Sequence, residues 1–175
     1  MSEDIQAHLD SLAPLLVAGS PHAVALGMEL VSIAPDRAVM RAPYRDDLIG
    51  DSETGILHGG VVTALLDHAC GVAAFAGLGG QAGTATLDLR LDYMRPAEPG
   101  RDVIAEARAI KASGLFAFVN AIAHDGDPDD PVATATAAFM ITRVSQEAAE
   151  RAKAKIGESA TPISDISITG SGAGS

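Results

Sequence analysis

Between Leu57 and Phe75 the apolar positions recur with a helical period. Set at about 100° per residue, Val61, Val62, Leu65, Leu66, Ala69, Val72 and Ala73 share one broad side. Gly60, Thr63, Asp67, Cys70, Gly71 and Ala74 fall on the other. A solvated face would carry Lys, Glu and Arg. This one carries small residues and a single carboxylate, so a close neighbour is expected there.

The flanking segments change period. Ile5, Leu9, Leu12 and Leu16 predict an amphipathic helix over residues 3–18, with a break or kink expected at Pro14. Ser20-Pro21 opens a short helical turn that Gly27 stops. Two strands follow, Met28–Ala34 and Arg37–Pro43, around the turn Pro35-Asp36. Residues 45–57 read as a polar loop, and Gly77–Gly83 as a flexible connection. Thr84–Arg95 alternates, with Leu87, Leu89, Leu91 and Tyr93 on one face and Thr86, Asp88, Arg90 and Asp92 on the other. Asp102–Lys111, Leu115–His124 and Val132–Arg143 complete four strands. They are joined by the turn Ala112-Ser113-Gly114 and an acidic loop, Asp125–Pro131.

Two strands, one buried helix and an antiparallel meander make an α+β fold. One sheet and one long helix close a core only if the sheet curls around the helix. The outer face of that sheet then needs a cover. The organisation is an N-terminal helical segment (1–21), a core domain (22–145), and a short helix with a disordered Gly/Ser tail (146–175).

Composition narrows the classes. Only 3% of the 175 residues are aromatic and there is no Trp, so Ala, Val, Leu and Ile must fill the core. A net charge of −11 argues against a nucleic-acid partner, whose phosphates need a basic surface. A single cysteine excludes an internal disulfide framework. No leader and no charge-free run of about 18 apolar residues is found, so no membrane span is expected and the cytoplasm is the expected compartment.

The chemistry concentrates at the helix entrance. The first turn of a helix offers unpartnered N–H groups and partial positive charge. His58-Gly59-Gly60 lets a ligand approach that backbone, where an oxygen gaining negative charge would be stabilised. Asp67 lies about two turns further along the face of Gly60. Gly60 and Thr63 on that face are candidates for substrate contact, although Thr63 reads more readily as packing. His68 points about 100° away from Asp67, so neither a dyad nor a metal site is expected. Cys70 reads as a small filler. No Gly-x-Ser-x-Gly elbow is present. Arg95, and Lys111 with Ser113 and Gly114, are the basic candidates for phosphate contact.

Ser52-Glu53-Thr54-Gly55-Ile56-Leu57-His58-Gly59-Gly60, then Asp67, then Asp88-Leu89-Arg90-Leu91-Asp92-Tyr93-Met94-Arg95-Pro96 resembles the hotdog-fold acyl-CoA thioesterases, in their phenylacetate-pathway (PaaI-like) branch. Leu26-Gly27-Met28-Glu29-Leu30 is similar to that branch's opening strand. The resemblance spans residues 22–143. It implies a five- or six-stranded antiparallel sheet wrapped around the helix, and an acyl-CoA substrate. It implies a homodimer whose interface forms the active site, commonly paired into a homotetramer. Asp67 would be general base or nucleophile, the Gly59 N–H would polarise the carbonyl, and His58 would organise the helix entrance. Thr86 would position the water or the carboxylate. Relatives carry Asn six residues before the histidine, where this chain has Ser52, a shorter side chain with no amide donor. The resemblance calls for no metal or cofactor beyond the coenzyme A of the substrate. Two other classes stand beside it: a non-catalytic acyl-CoA-binding module, and a hydratase or dehydratase whose motif is not found.

Overall fold

The computed structural model describes residues 2–142. The helix expected over 146–156 and the tail of 157–175 lie outside the described residues.

The central helix α3 spans Gly59–Gly77, and Leu65, Leu66, Ala69, Cys70, Ala73 and Ala74 on it have no exposed surface. By length and composition alone it could cross a membrane. Here it is instead the core of a curled six-stranded antiparallel sheet. That sheet contains β1 (Glu29–Ala34), β2 (Arg37–Ala42), β5 (Gly83–Tyr93), β6 (Val103–Ser113), β7 (Phe116–His124) and β8 (Ala133–Thr142). Its strand order is β1-β2-β6-β7-β8-β5. The inward positions of its middle strands are mostly alanine: Ala105 and Ala107, Ala117, Ala121 and Ala123, Ala133, Ala135 and Ala137. Small side chains on both surfaces let the sheet close tightly on an Ala-rich helix, so few aromatics are needed to reach core density.

Four features depart from the sequence expectations. First, α1 runs unbroken over Ser2–Ala18 with Pro14 inside it. Tertiary contacts outweigh the missing backbone donor: Leu9 is fully buried, the Gln6 amide donates to the Ile33 carbonyl at 2.9 Å, and His68 Nε2 lies 2.8 Å from the Leu16 carbonyl. The short α2 (Pro21–Ala25) follows as expected, with the Ser20 side chain accepting from the Ala23 N–H. Second, the 45–57 stretch is not all loop. A 3-10 turn over Asp46–Leu48 leads into a small hairpin of β3 (Ile49–Asp51) and β4 (Ile56–Leu57). Third, β6 continues through Ser113, and the β6–β7 turn is only Gly114-Leu115, where Gly114 takes φ +67°.

The fourth departure matters most. The β5–β8 ladder pairs Thr86 with Phe139 and Asp88 with Ala138, leaving Leu87 as a bulge. An extra residue reverses the alternation of everything beyond it. Thr86 therefore shares the inward face with Leu89, Leu91 and Tyr93, not the opposite face. Leu87 itself is 54% exposed.

β5 is an edge strand with a free outer side. The outward surface of the sheet also keeps Phe116, Phe118, Met140, Ile110 and Leu115 exposed, so the cover expected for this face is not supplied by the described residues.

Candidate active site

Asp67 is half-buried, and its Oδ1 accepts a 3.0 Å hydrogen bond from the Thr86 hydroxyl. The bulge at Leu87 is what turns Thr86 toward it. On one side of this pair lies a cavity of about 540 Å³, lined by Gly60, Thr63, Ala64 and Leu89 and, from the N-terminal segment, Ser20, His22 and Met28. On the other lies a cavity of about 250 Å³ with Leu16, Val72, Phe75 and Phe139 in its wall. Asp67, His68 and Thr86 line both. The small-residue face of the helix is thus open where the sequence pattern asked for a close neighbour. Cys70 and Ala74 are exceptions, because the sheet curls over them. Burial, and secondarily the Asp67 charge, push the Cys70 thiol up to about 12. It is a neutral filler.

The helix entrance forms a second centre. His58 caps α3, its backbone extended at φ −61° and ψ 130°, and its Nδ1 accepts the Gly60 N–H at 2.9 Å. A Cβ on Gly60 would stand 2.8 Å from that nitrogen, so the cap requires glycine. The Val61 N–H donates to the His58 carbonyl. Among the hydrogen bonds of the described residues, the Gly59 N–H has no acceptor, leaving it for a ligand. The Tyr93 hydroxyl donates to the Gly59 carbonyl at 2.6 Å and lies 2.8 Å from the Thr63 hydroxyl. Gly59 and Tyr93 line a further cavity of about 360 Å³ with Ile56, Leu57, Val62 and Pro96. Sequence reasoning placed Tyr93 only on an apolar face. The signal was its hydroxyl at an inward position within the Asp88–Pro96 motif.

These two centres sit about 12 Å apart along α3 by helix rise. Aspartate's lean toward the N-terminus shortens this by about 2 Å. An N–H on a carbonyl oxygen, with an attacking water held by a carboxylate, spans only roughly 7 Å. Gly59 and Asp67 of one chain therefore do not serve the same carbonyl.

The remaining candidates are scattered. Ser52 stands exposed on the β3–β4 turn, and it is Asp51 that organises the turn by accepting from the Glu53 N–H and Thr54 hydroxyl. Arg95 corrects the expectation of a free phosphate ligand. Its five donors go to Asp125 (two), Asp130 (side chain and carbonyl) and the Pro96 carbonyl. Lys111, Ser113 and Gly114 lie at the other end of the helix, where Ala109 and Ala112 meet Gly77. The structure does not bring them to Arg95.

Comparison with known proteins gives a consistent pattern. Residues 54–132 match the family described as the thioesterase superfamily. Medium/long-chain acyl-CoA thioesterase YigI of Escherichia coli is 27% identical over 146 residues, covering 76% of this chain and 93% of the relative. A crystal structure from Pseudomonas aeruginosa is 34% identical, covers 75% of this chain and 98% of the other, and superposes with a TM-score of 0.69. A variant of phenylacetic acid degradation protein PaaI from Thermus thermophilus is 30% identical over 71% of this chain and 100% of the other, with a TM-score of 0.60.

Proposed function

This chain belongs to the thioesterase superfamily, with its hotdog fold, and on that footing we propose that it hydrolyses acyl-CoA thioesters to the free acid and coenzyme A. The observation that carries this reading is Asp67, held by Thr86 between two cavities on an otherwise small-residue helix face.

Asp67 takes a proton from a water that attacks the thioester carbonyl, or attacks that carbon itself. The Gly59 N–H stabilises the oxygen as it gains charge. With water as nucleophile the C–S bond then breaks, the acid is released, and the thiolate of coenzyme A takes up the proton held by Asp67. With direct attack the C–S bond breaks to leave an acyl-aspartyl anhydride, which water opens at the aspartyl carbon, releasing the acid and supplying the proton for the thiolate. No metal or redox step enters this chemistry. A single turnover in H₂¹⁸O distinguishes the two roles of Asp67, since direct attack leaves the first label in the carboxylate of the protein.

Because one chain cannot place Gly59 and Asp67 on one carbonyl, the complete site combines Gly59 of one protomer with Asp67 of its partner. The free edge of β5 supports this homodimer, as it can extend the sheet across two chains. The exposed Phe116, Phe118 and Met140 on the outer face support a further pairing into a tetramer. Leu16, Val72, Phe75 and Phe139 in the cavity beside Asp67 suit an aryl or medium-chain acyl group. The compartment that goes with this proposal is the cytoplasm.

A second reading, an acyl-CoA-binding module without turnover, is favoured by one feature. Ser52 stands exposed where the resemblance implies an amide.

The test is thiol release from phenylacetyl-, benzoyl-, short-, medium- and long-chain acyl-CoAs, with Asp67→Asn alongside. Release that the variant loses establishes the hydrolase. Acyl-CoA bound but never cleaved establishes the binding module.

A further inference from the structure

The Gly59–Gly60 peptide is held at both ends. Its N–H goes to His58 Nδ1 at 2.9 Å, and its carbonyl accepts from Tyr93 at 2.6 Å. A tyrosine hydroxyl carries one proton. With that proton on Gly59, the single Thr63 hydroxyl proton has two acceptors, the tyrosine oxygen at 2.8 Å and the Gly59 carbonyl at 3.2 Å, and the shorter contact favours the tyrosine. The shorter route runs from Thr63 through Tyr93 to Gly59, where each link polarises the next, and the longer Thr63 bond reaches Gly59 directly.

We propose that Tyr93 is a positioning residue for thioester hydrolysis, pinning the Gly59–Gly60 peptide so that the Gly59 N–H stays fixed at the mouth of the helix. This rests on the thioesterase reading above. Two consecutive glycines give the first turn of α3 more backbone freedom than any other pair would. A donor that must reorganise when charge develops loses most of its value. Tyr93 removes that freedom from outside the helix. It is itself anchored, because the next two residues, Met94 and Arg95, both donate their N–H groups to the Val132 carbonyl. The fully engaged Arg95 guanidinium then ties this strand end to Asp125 and Asp130.

Tyr93 is 51% exposed. Its hydroxyl has water within reach, so removing the hydroxyl leaves no buried polar group unsatisfied. Y93F is therefore a probe of rate more than of stability.

The experiment measures kcat and KM of the full chain on its fastest acyl-CoA substrate for wild type, Y93F, T63V and the double variant, with Tm recorded for each. The expected result for Y93F is a kcat about tenfold lower, with KM within about twofold of wild type. T63V loses less, and the double variant falls well short of the product of the two single losses, because Thr63 acts mainly through Tyr93. An unchanged kcat in Y93F, a loss carried by KM alone, or fully additive losses would overturn the proposal. Should Y93F melt below the assay temperature, T63V carries the test, and a wild-type kcat in T63V overturns it. A wild type that cleaves no acyl-CoA removes the thioesterase reading and this inference together. An active wild type matched by Y93F removes this inference alone.

Discussion

Thr86, on the edge strand of the sheet, donates its hydroxyl proton to Asp67 Oδ1 on the central helix across 3.0 Å. The bond fixes which oxygen of the carboxylate is engaged and leaves Oδ2 to meet water. Thr86→Val is expected to lower kcat roughly tenfold, and Thr86→Ser to recover most of it. Asp67→Asn is expected to lower kcat at least ~100-fold with KM little changed. Steady-state kinetics on one acyl-CoA decide both, and a Val variant as fast as wild type would show that the bond has no catalytic consequence.

Gly59→Pro removes the N–H and puts the ring Cδ where its hydrogen pointed, at a position where proline suits the backbone. Proline suits the first position of a helix, and it requires an extended residue before it, which His58 already is. The nearest atoms that a Cβ there would meet are those of Tyr93, at 3.4 Å and beyond. The expected outcome is a Tm near wild type and a kcat reduced about 100-fold, the cost of one oxyanion donor. Wild-type turnover without this N–H would move the polarising role elsewhere.

A site shared between protomers predicts complementation. Asp67→Asn and Gly59→Pro chains, each inert alone, form mixed dimers with one intact site after joint refolding. Random pairing of equal amounts restores about a quarter of wild-type specific activity. Absence of any recovery, with mixed dimers demonstrated by mass, would confine the site to one chain.

Much of this arrangement is legible in the residue order, and what escapes it has a physical reason. The helix and its entrance declare themselves because glycine, small residues and a lone acid break the usual amphipathic pattern between Gly60 and Gly71. The face of Thr86 does not, since period-two reasoning assumes no bulge, and a bulge depends on the facing strand β8. Pro14 misleads for a similar reason: local propensity predicts a break or kink, and the helix continues through it under the burial of Leu9 and the bonds of Gln6 and Leu16 to distant residues. The engagement of Arg95 depends on Asp125, 30 residues away, which spacing cannot reveal. The roles implied for His58, Gly59 and Thr86 rest on family resemblance; the structure adds the Gly60–His58 and Thr86–Asp67 hydrogen bonds, which spacing alone does not reveal.

Asp125 carries a pH dependence. Hydrogen bonds from Arg95 hold its carboxyl well below the usual carboxylate range against the cost of burial, helped by the Glu98 N–H and the Arg95 charge. A depressed acid stabilises the fold fully at neutral pH and loses that contribution as pH falls below the ordinary aspartate value of about 4. Asp125→Asn is expected to cost about 3 kcal/mol at pH 7, near the low end for breaking a buried pair, because Arg95 stays a quarter exposed and can rehydrate. Denaturant titrations of both proteins at pH 7 and pH 3 check this. A stability difference that fails to shrink at the lower pH would deny the pair its charge.

Cys70 is expected to stay silent toward thiol reagents in the native protein, since its thiol is fully buried and pushed up to about 12. Disulfide-exchange reagents should label it only after denaturant is added. Rapid labelling under native conditions would mean that the sheet opens over this part of α3.

Leu87 gives β5 one residue more than its ladder uses. Taking it out joins the Thr86–Phe139 pair directly to the Asp88–Ala138 pair and changes no side chain's face. Losing any other residue of the strand would have to be absorbed by straightening this same spot. The edge of the sheet thus carries built-in slack, and a single-codon deletion that would scramble most strands becomes survivable here. Such a strand can gain or shed a residue over generations while Thr86 keeps its grip on Asp67.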